Sequence, residues 1–404
     1  MDFRLNEEQR QVRDMVREFA EREVAPHIQE WDQKGEYHPE VIYKMGELGI
    51  LGIPVPERYG GGGFDYVSFA LACEELEAVD TFLRVVMSVH VGLNSLTLHQ
   101  WGTEEQKERW LKPQAEGSKL ATFGLTEPGA GSDAGNIQTR AVKDGDHYVL
   151  NGEKAWISLA NTADHMLVFA QLDPEKKHRG LAAFVVERGM EGLTTGSLHG
   201  KLGVRAGDTG WIAFNNVRVP AENMIGEEGE GFKIAMSAID QGRFTVAAGA
   251  VGLIRASLDA SKQYCHEREA FGSEIGQFQL VKQMISKMVA GYESSRLLVM
   301  QAAELKNRGE RNTRETSLAK WISCDYAFNA ANDAIQIHGA YGFSSEYPVE
   351  RYMRNSRGAV IYEGTREIHQ ILQGDYALGY RVDRPLRCPQ PPAEAWETKP
   401  ASAD

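Results

Sequence analysis

Basic residues are in the minority: 44 Lys and Arg stand against 57 Asp and Glu, a formal charge of −13. Such a chain lacks the net positive surface that a phosphate backbone attracts, so non-specific nucleic-acid binding is not expected and an anionic ligand must rely on local arginines or backbone N–H groups. Cysteine is sparse as well. Cys73, Cys265, Cys324 and Cys388 lie far apart, with no CxxC pair and no clustered histidines beside them, which argues against structural zinc or a disulfide framework. No metal site is expected. No apolar run approaches the roughly 18 residues that cross a bilayer. The opening MDFRLNEEQRQVRDMVREF has neither an apolar signal core nor an acid-poor transit composition, so a cytoplasmic location away from membranes is the expectation.

What is present is the balance of an ordinary globular protein, 42% hydrophobic and 25% charged, over 404 residues. That length favours two or three domains sharing an extensive core. Residues 1–121 read as helical. Asn6-Glu7-Glu8-Gln9 and Thr103-Glu104-Glu105-Gln106 each place a capping residue three before a glutamine, with acids in the first turn. The Gly60–Gly63 run follows no strand and has no GxGxxG register, so a plain turn is preferred to a phosphate cradle.

From 122 to 232 the texture is that of an antiparallel β domain. Asp144-Gly145 separates TRAVK from HYVL and Asn151-Gly152 separates YVL from EKAWIS, which predicts two hairpin turns close together. HMLVFAQL, LAAFVVE and WIAFNNVRVP supply further strands, the last ended by Pro220. From 233 to 385 long helices are predicted. Phe278, Val281, Ile285, Met288 and Tyr292 form one apolar stripe for bundle packing. Residues 386–404, rich in proline and polar groups, are expected to be an extended or disordered tail.

Four stretches could carry chemistry. FGLTEPGAGSD (123–133) joins a strand to a glycine-rich turn whose N–H groups suit anionic oxygens, although an ordinary β-turn has the same composition. Trp156-Ile157-Ser158 puts an indole and a hydroxyl at one end of the sheet; a strand tryptophan is more often core. Asp240 and Arg243 lie three apart on a helical face, by default a surface pair worth under about 1 kcal/mol. YEGTREIH (362–369) sets the Glu363 carboxylate between a tyrosine and a glycine just before a helix, where an acid favours the helix dipole by about 0.3–1 kcal/mol.

Together with EREAFG, Gln279 and QIHGAYGF, these segments occur in the order and spacing of the acyl-CoA dehydrogenase family, which the chain resembles from residue 1 to about 380. The resemblance implies an α+β multidomain fold with an N-terminal helical domain, a β-barrel-like middle domain and a C-terminal four-helix bundle. It further implies a homotetramer, one FAD per subunit, acyl-CoA as substrate and electron-transferring flavoprotein as acceptor. By the same resemblance Phe123, Leu125, Thr126, Gly131, Ser132, Trp156, Ser158, Thr365 and Glu367 hold the flavin. Arg268, Phe271, Gln279, Gln336 and Gly339 reach the FAD of a neighbouring subunit. Ser132, Asp240, Arg243, Tyr362 and Gly364 line the acyl-CoA channel. Glu363 is the implied base, removing the α-proton while the β-hydrogen leaves as hydride. Some members carry their base on the helix holding DQGR, immediately before the arginine; here that position is Gly242, so the assignment falls on Glu363.

Arg84, with Glu77 seven residues before it, matches an arginine that glutaryl-CoA dehydrogenases use to bind a distal carboxylate. The serine following it in those enzymes is Val85 here. A dicarboxylyl thioester and a short, branched or alicyclic monocarboxylyl thioester are therefore both open. A flavin-dependent oxidase or monooxygenase on the same scaffold is the nearest rival reading. A DNA-binding relative would need the basic surface this chain lacks.

Overall fold

The computed structural model describes residues 4–397; residues 1–3 and the end of the tail, 398–404, lie outside the described residues. Capping sets the first elements. Asn6 accepts from the Gln9 N–H at 2.8 Å while the Gln9 side chain accepts from the Asn6 N–H at 3.0 Å, closing the box that starts α1, Glu7–Glu23. Thr103 and Gln106 repeat the arrangement at 3.3 and 3.0 Å. Val12, Val16 and Phe19 of α1 enter one core with Phe69, Ala70 and Cys73 of α2, Tyr66–Val79. The Gly60–Gly63 run is a packed turn, since a Cβ at Gly61 would lie 2.0 Å from the Val55 carbonyl oxygen.

The helix α3, Thr81–Trp101, corrects one expectation. Its 21 residues are long and apolar enough to cross a membrane, with a mean hydropathy of 1.2 in the best window, but 89% of that window is buried inside the fold. Ser88, His90 and Asn94 interrupt the apolar run in the sequence. Each is buried and hydrogen-bonded, Ser88 to Arg84 and Thr245, His90 to the Gln114 carbonyl, and Asn94 to the Thr122 carbonyl.

Eight strands form one sheet: β1 Ala121–Gly124, β2 Arg140–Asp144, β3 His147–Ser158, β4 His165–Gln171, β5 Leu181–Glu187, β6 Leu193–Ser197, β7 Thr209–Pro220 and β8 Met224–Ile225. The order is β6-β7-β3-β2-β4-β5-β8, with β1 beside β4. Pairing is mostly antiparallel, but β1 and β2 both run parallel to β4, so the sheet is mixed. Asp144-Gly145 makes the predicted hairpin, pairing Asp144 with His147. Asn151-Gly152 does not. β3 continues through it, and the glycine marks a bulge in the pairing with β7, at a φ of 145° and with Thr139 too close for a Cβ.

Three long helices follow: α4 Gly231–Glu267, α5 Gln279–Asn307 and α6 Thr313–His338. Met288 is buried, with Val281, Ile285 and Tyr292 packed beside it, so four positions of the predicted stripe join the core, whereas Phe278, just before the helix begins, is 36% exposed. The fourth element of the bundle is split into α7, Val349–Ala359, and α8, Arg366–Ala377. The tail departs from expectation. It returns across the molecule as coil, buries Ala393 to 4% exposure and ends in a short helix, α9, Glu394–Glu397. Glu394 accepts the Glu57 N–H at 2.7 Å, and the Ala395 N–H donates to the Gly63 carbonyl at 3.1 Å.

Candidate active site

The break between α7 and α8 is where Glu363 stands. Ile361 and Tyr362 still donate to the Gly358 carbonyl at 2.9 and 3.1 Å, but Glu363 (φ 57°) and Gly364 (φ 92°) then turn left-handed. For a non-glycine residue this costs about 1–3 kcal/mol unless its surroundings impose it. Two buried cations do so: Arg243 Nε donates to the Glu363 carbonyl at 3.1 Å and Lys320 Nζ to that of Gly364 at 2.8 Å. Thr365 then caps α8, accepting from the Ile368 N–H at 3.4 Å.

The turn presents the Glu363 carboxylate to Gly242 on α4. A Cβ at 242 would lie 2.7 Å from both carboxylate oxygens, so only glycine leaves them room. Burial raises this carboxyl to about 7, with the charges of Arg243, Lys320 and Arg84 partly opposing the rise.

Asp240 and Arg243 are no surface pair. Their side chains are 13% and 9% exposed, and Arg243 Nη1 meets Asp240 at 3.3 Å. Thr313 donates to the other oxygen of Asp240 at 2.5 Å. The helix α6 supplies three groups that sequence reasoning missed: Thr313, Ser317, bonded to His369 Nδ1 at 2.8 Å, and Lys320. His369 is fully buried, and desolvation, with Lys320 and Arg243 nearby, lowers its affinity for a proton. The signal was present in outline, since positions 313, 317 and 320 are spaced 4 and 3 apart and fall on one face of α6.

Arg84 is also buried, at 1% exposure, and every nitrogen of its guanidinium already has a partner. Nε pairs with Glu77, Nη1 donates to Ser88 at 3.0 Å and Nη2 to the Tyr362 hydroxyl at 2.5 Å. Glu77 and Arg84 stand on two different helices. Asp80 is extended, ends α2 and caps α3 through the Phe82 N–H, and the two residues meet across that junction.

On the sheet, FGLTEPGAGSD folds as a tight turn, with Glu127 and Ala130 exchanging backbone bonds at 3.0 and 3.1 Å. Its base is pinned by Lys154 on β3, which donates to the Leu125 carbonyl at 3.2 Å and to Glu127 at 2.7 Å. The Ala155 N–H donates to the Thr126 carbonyl at 2.9 Å, so the loop and the Trp156 strand are neighbours. A Cβ at Gly129 or Gly131 would meet nothing within 4 Å, and Ser132 is exposed. Trp156 is 66% exposed at a φ of 61°, on a strand whose neighbours Lys154 and Ile157 are buried. A bare indole beside an open glycine loop is the apolar face and polar edge that a planar anionic cofactor requires.

Family models match three consecutive stretches: the acyl-CoA dehydrogenase N-terminal domain over residues 6–118, the middle domain over 122–217 and the C-terminal domain over 229–375. The chain belongs to the acyl-CoA dehydrogenase family. It is 42% identical over 372 residues to a short-chain specific acyl-CoA dehydrogenase of Clostridium acetobutylicum, covering 92% of this chain and 98% of that one. Butyryl-CoA dehydrogenase from Megasphaera elsdenii superposes with a TM-score of 0.92 at 41% identity, covering 94% of this chain and all of the other. A glutaryl-CoA dehydrogenase from Mycobacterium smegmatis, in complex with FADH2, does so with 0.89 at 32% identity, covering 94% and 97%. Like its family, this acyl-CoA dehydrogenase is an oxidoreductase acting on CH–CH donors.

Within this acyl-CoA dehydrogenase chain the named residues fall into three groups. Arg243 bonds to Asp240 and to the Glu363 carbonyl, Arg84 bonds to Tyr362, and the chain turn 362–364 joins the two sets and carries Gly364. Phe123, which packs on Phe169, stands on the loop side with Leu125, Thr126, Gly131, Ser132, Trp156 and Ser158. Arg268, Phe271, Gln279, Gln336 and Gly339 are all exposed, Phe271 to 98%, and among the described residues hydrogen-bond to neither group. Glu367 is exposed in the first turn of α8.

Proposed function

We propose that the chain oxidises a short-chain, butyryl-like acyl-CoA thioester to the trans-2-enoyl-CoA, with Glu363 as the base. The observation that carries this is the Glu363 carboxylate itself, aimed at Gly242 on a strained turn and raised to about 7 by burial. A base of that affinity takes a weakly acidic α-proton at neutral pH and returns it readily. FAD is the assigned cofactor, and when bound it supplies the acceptor for the β-hydrogen as hydride. The exposed Trp156 indole and the open loop at Thr126 to Ser132 are the groups assigned to its ring and phosphates. The Glu363 N–H is the assigned donor to the thioester oxygen, where one such donor is worth about 10²–10³ in rate. Electron-transferring flavoprotein is the proposed acceptor, and a homotetramer the proposed assembly, with the exposed Arg268 and Phe271 set meeting a neighbouring subunit.

The short monocarboxylyl substrate is preferred to a dicarboxylyl one because Arg84 is committed to Glu77, Ser88 and Tyr362. A distal carboxylate would have to displace a buried partner, and Val85 offers no hydroxyl to help. The expected result is a kcat/KM for butyryl-CoA at least about tenfold above that for glutaryl-CoA. A preference for glutaryl-CoA that disappears in Arg84→Ala would restore the dicarboxylate reading.

The pH dependence follows from the sign of the Glu363 shift. The reactive form is the carboxylate, and burial raises the group from 4.5 to about 7. Flavin bleaching under saturating butyryl-CoA should therefore climb about tenfold per pH unit below 7 and level off above it. A rate already flat between pH 5 and 7 would contradict that.

A further inference from the structure

We propose that the C-terminal strap, residues 381–397, is part of the substrate site, with Arg384 offering a cation to the phosphate groups of the coenzyme A thioester. This rests on the acyl-CoA reading above. The strap lies wholly beyond residue 375, where the match to the family's C-terminal domain ends. It is nevertheless fixed along its length. Arg387 holds Glu230 through two contacts of 2.6 and 3.0 Å, and the Cys388 carbonyl accepts from Gln100 at 2.9 Å. Gln390 accepts from Asn312 at 3.0 Å and donates to the Lys306 carbonyl at 3.2 Å.

Held in this way, the strap walls one side of a cavity of about 310 Å³. Arg384, Leu386 and Pro389 face it from the strap; Asp240, Arg311 and Thr313 line it from the bundle. That volume suits a segment of a ligand rather than a whole coenzyme. The cavity reaches the reactive group in two steps, for Asp240 is bonded to Arg243 and Arg243 to the Glu363 carbonyl.

Charge selects the occupant. The acids at the cavity are already engaged: Asp240 by Thr313 and Arg243, Asp383 by the Tyr376 hydroxyl at 2.7 Å and by Arg311 at 3.7 Å. Arg384 is exposed and, among the described residues, makes no hydrogen bond or ion pair. In a chain of net charge −13, a free guanidinium on the wall of a cavity that shares Asp240 with the base's hydrogen-bond network is a local attractor for a polyanionic carrier. The neighbouring prolines and Leu386 leave an apolar rim for its uncharged parts.

The test uses the full-length, FAD-loaded enzyme and Arg384→Glu, with Arg384→Lys as the conservative control. Measured are kcat and KM for butyryl-CoA and for the phosphate-free S-butyryl pantetheine, and the Kd of free coenzyme A by calorimetry. The glutamate variant should raise KM for butyryl-CoA and Kd for coenzyme A roughly five- to thirtyfold with kcat within about twofold. Turnover of the pantetheine thioester should be unchanged, the lysine variant should stay within about threefold of wild type, and high salt should shrink the difference. An unchanged coenzyme A Kd, or an equal loss on the phosphate-free thioester, overturns the assignment. If wild type turns over no acyl-CoA yet binds coenzyme A in an Arg384-dependent way, the strap assignment stands and the reaction assigned above falls. Normal turnover with no Arg384 effect means the opposite: the reaction stands and the strap assignment falls.

Discussion

Glu363→Gln is expected to leave a yellow enzyme that binds butyryl-CoA and bleaches more than about a thousandfold more slowly, because one proton acceptor is lost without a change of shape. The backbone bonds from Arg243 and Lys320 go to carbonyls, so they survive the substitution and should keep the turn in place. A second measurement separates lost chemistry from lost structure. Above pH 7 the wild type must hold a buried carboxylate that glutamine does not, whereas below 4.5 both side chains are neutral. The stability that a protonated Glu363 lends is fully present at low pH and is lost as pH rises through about 7, so the variant should melt higher than wild type at pH 8 and no higher at pH 4. Bleaching at the normal rate in the variant would move the base to another residue.

Glu77→Ala should cost about 3–5 kcal/mol in denaturant unfolding, the penalty for leaving a buried charge without its counter-ion. Glu77 and Arg84 side chains are each 1% exposed, and α4 closes over them so tightly that a Cβ at Gly249 would lie 2.4 Å from a Glu77 oxygen. Burial alone would disfavour the guanidinium cation, but the charge and hydrogen bond of Glu77, together with those of Tyr362, more than offset it. The effect should reach the active site as well. Arg84 donates to the Tyr362 hydroxyl and stacks 5.4 Å from its ring, and Tyr362 precedes the base. Glu77→Met with Arg84→Met should recover most of the stability, since apolar residues of similar volume carry no unpaired charge. A loss below about 1 kcal/mol for Glu77→Ala would mean that water reaches Arg84.

Local rules left clear traces. Asn6 and Thr103 each need only a partner three residues away, so both capping boxes were readable from spacing, as was the Asp144-Gly145 hairpin. Asn151-Gly152 has the same composition as a hairpin but sits in a strand whose pairing with β7 runs on past it, and long-range pairing overrode the turn signal. The default reading of Asp240 and Arg243 as a surface pair, which the family resemblance had already replaced, failed for a related reason. Two charges three apart look alike in any helix, and only the arrival of Thr313 and the 360–365 turn makes this face an interior.

The order of chemistry-bearing segments, the family they indicate, and the sequence of helices, sheet and helices were determined by the chain as written, because each depends on residue type and near spacing; Glu363 was singled out as the candidate base by the family resemblance of its motif. What the folded molecule alone decided was which charges share a cavity: Lys320 and Arg243 on the carbonyls of one turn, Arg84 consumed by Glu77 and Tyr362, and Arg384 brought back beside Asp240. Those meetings join residues far apart in the chain, where loop closure and burial choose the partner and no local pattern records the choice.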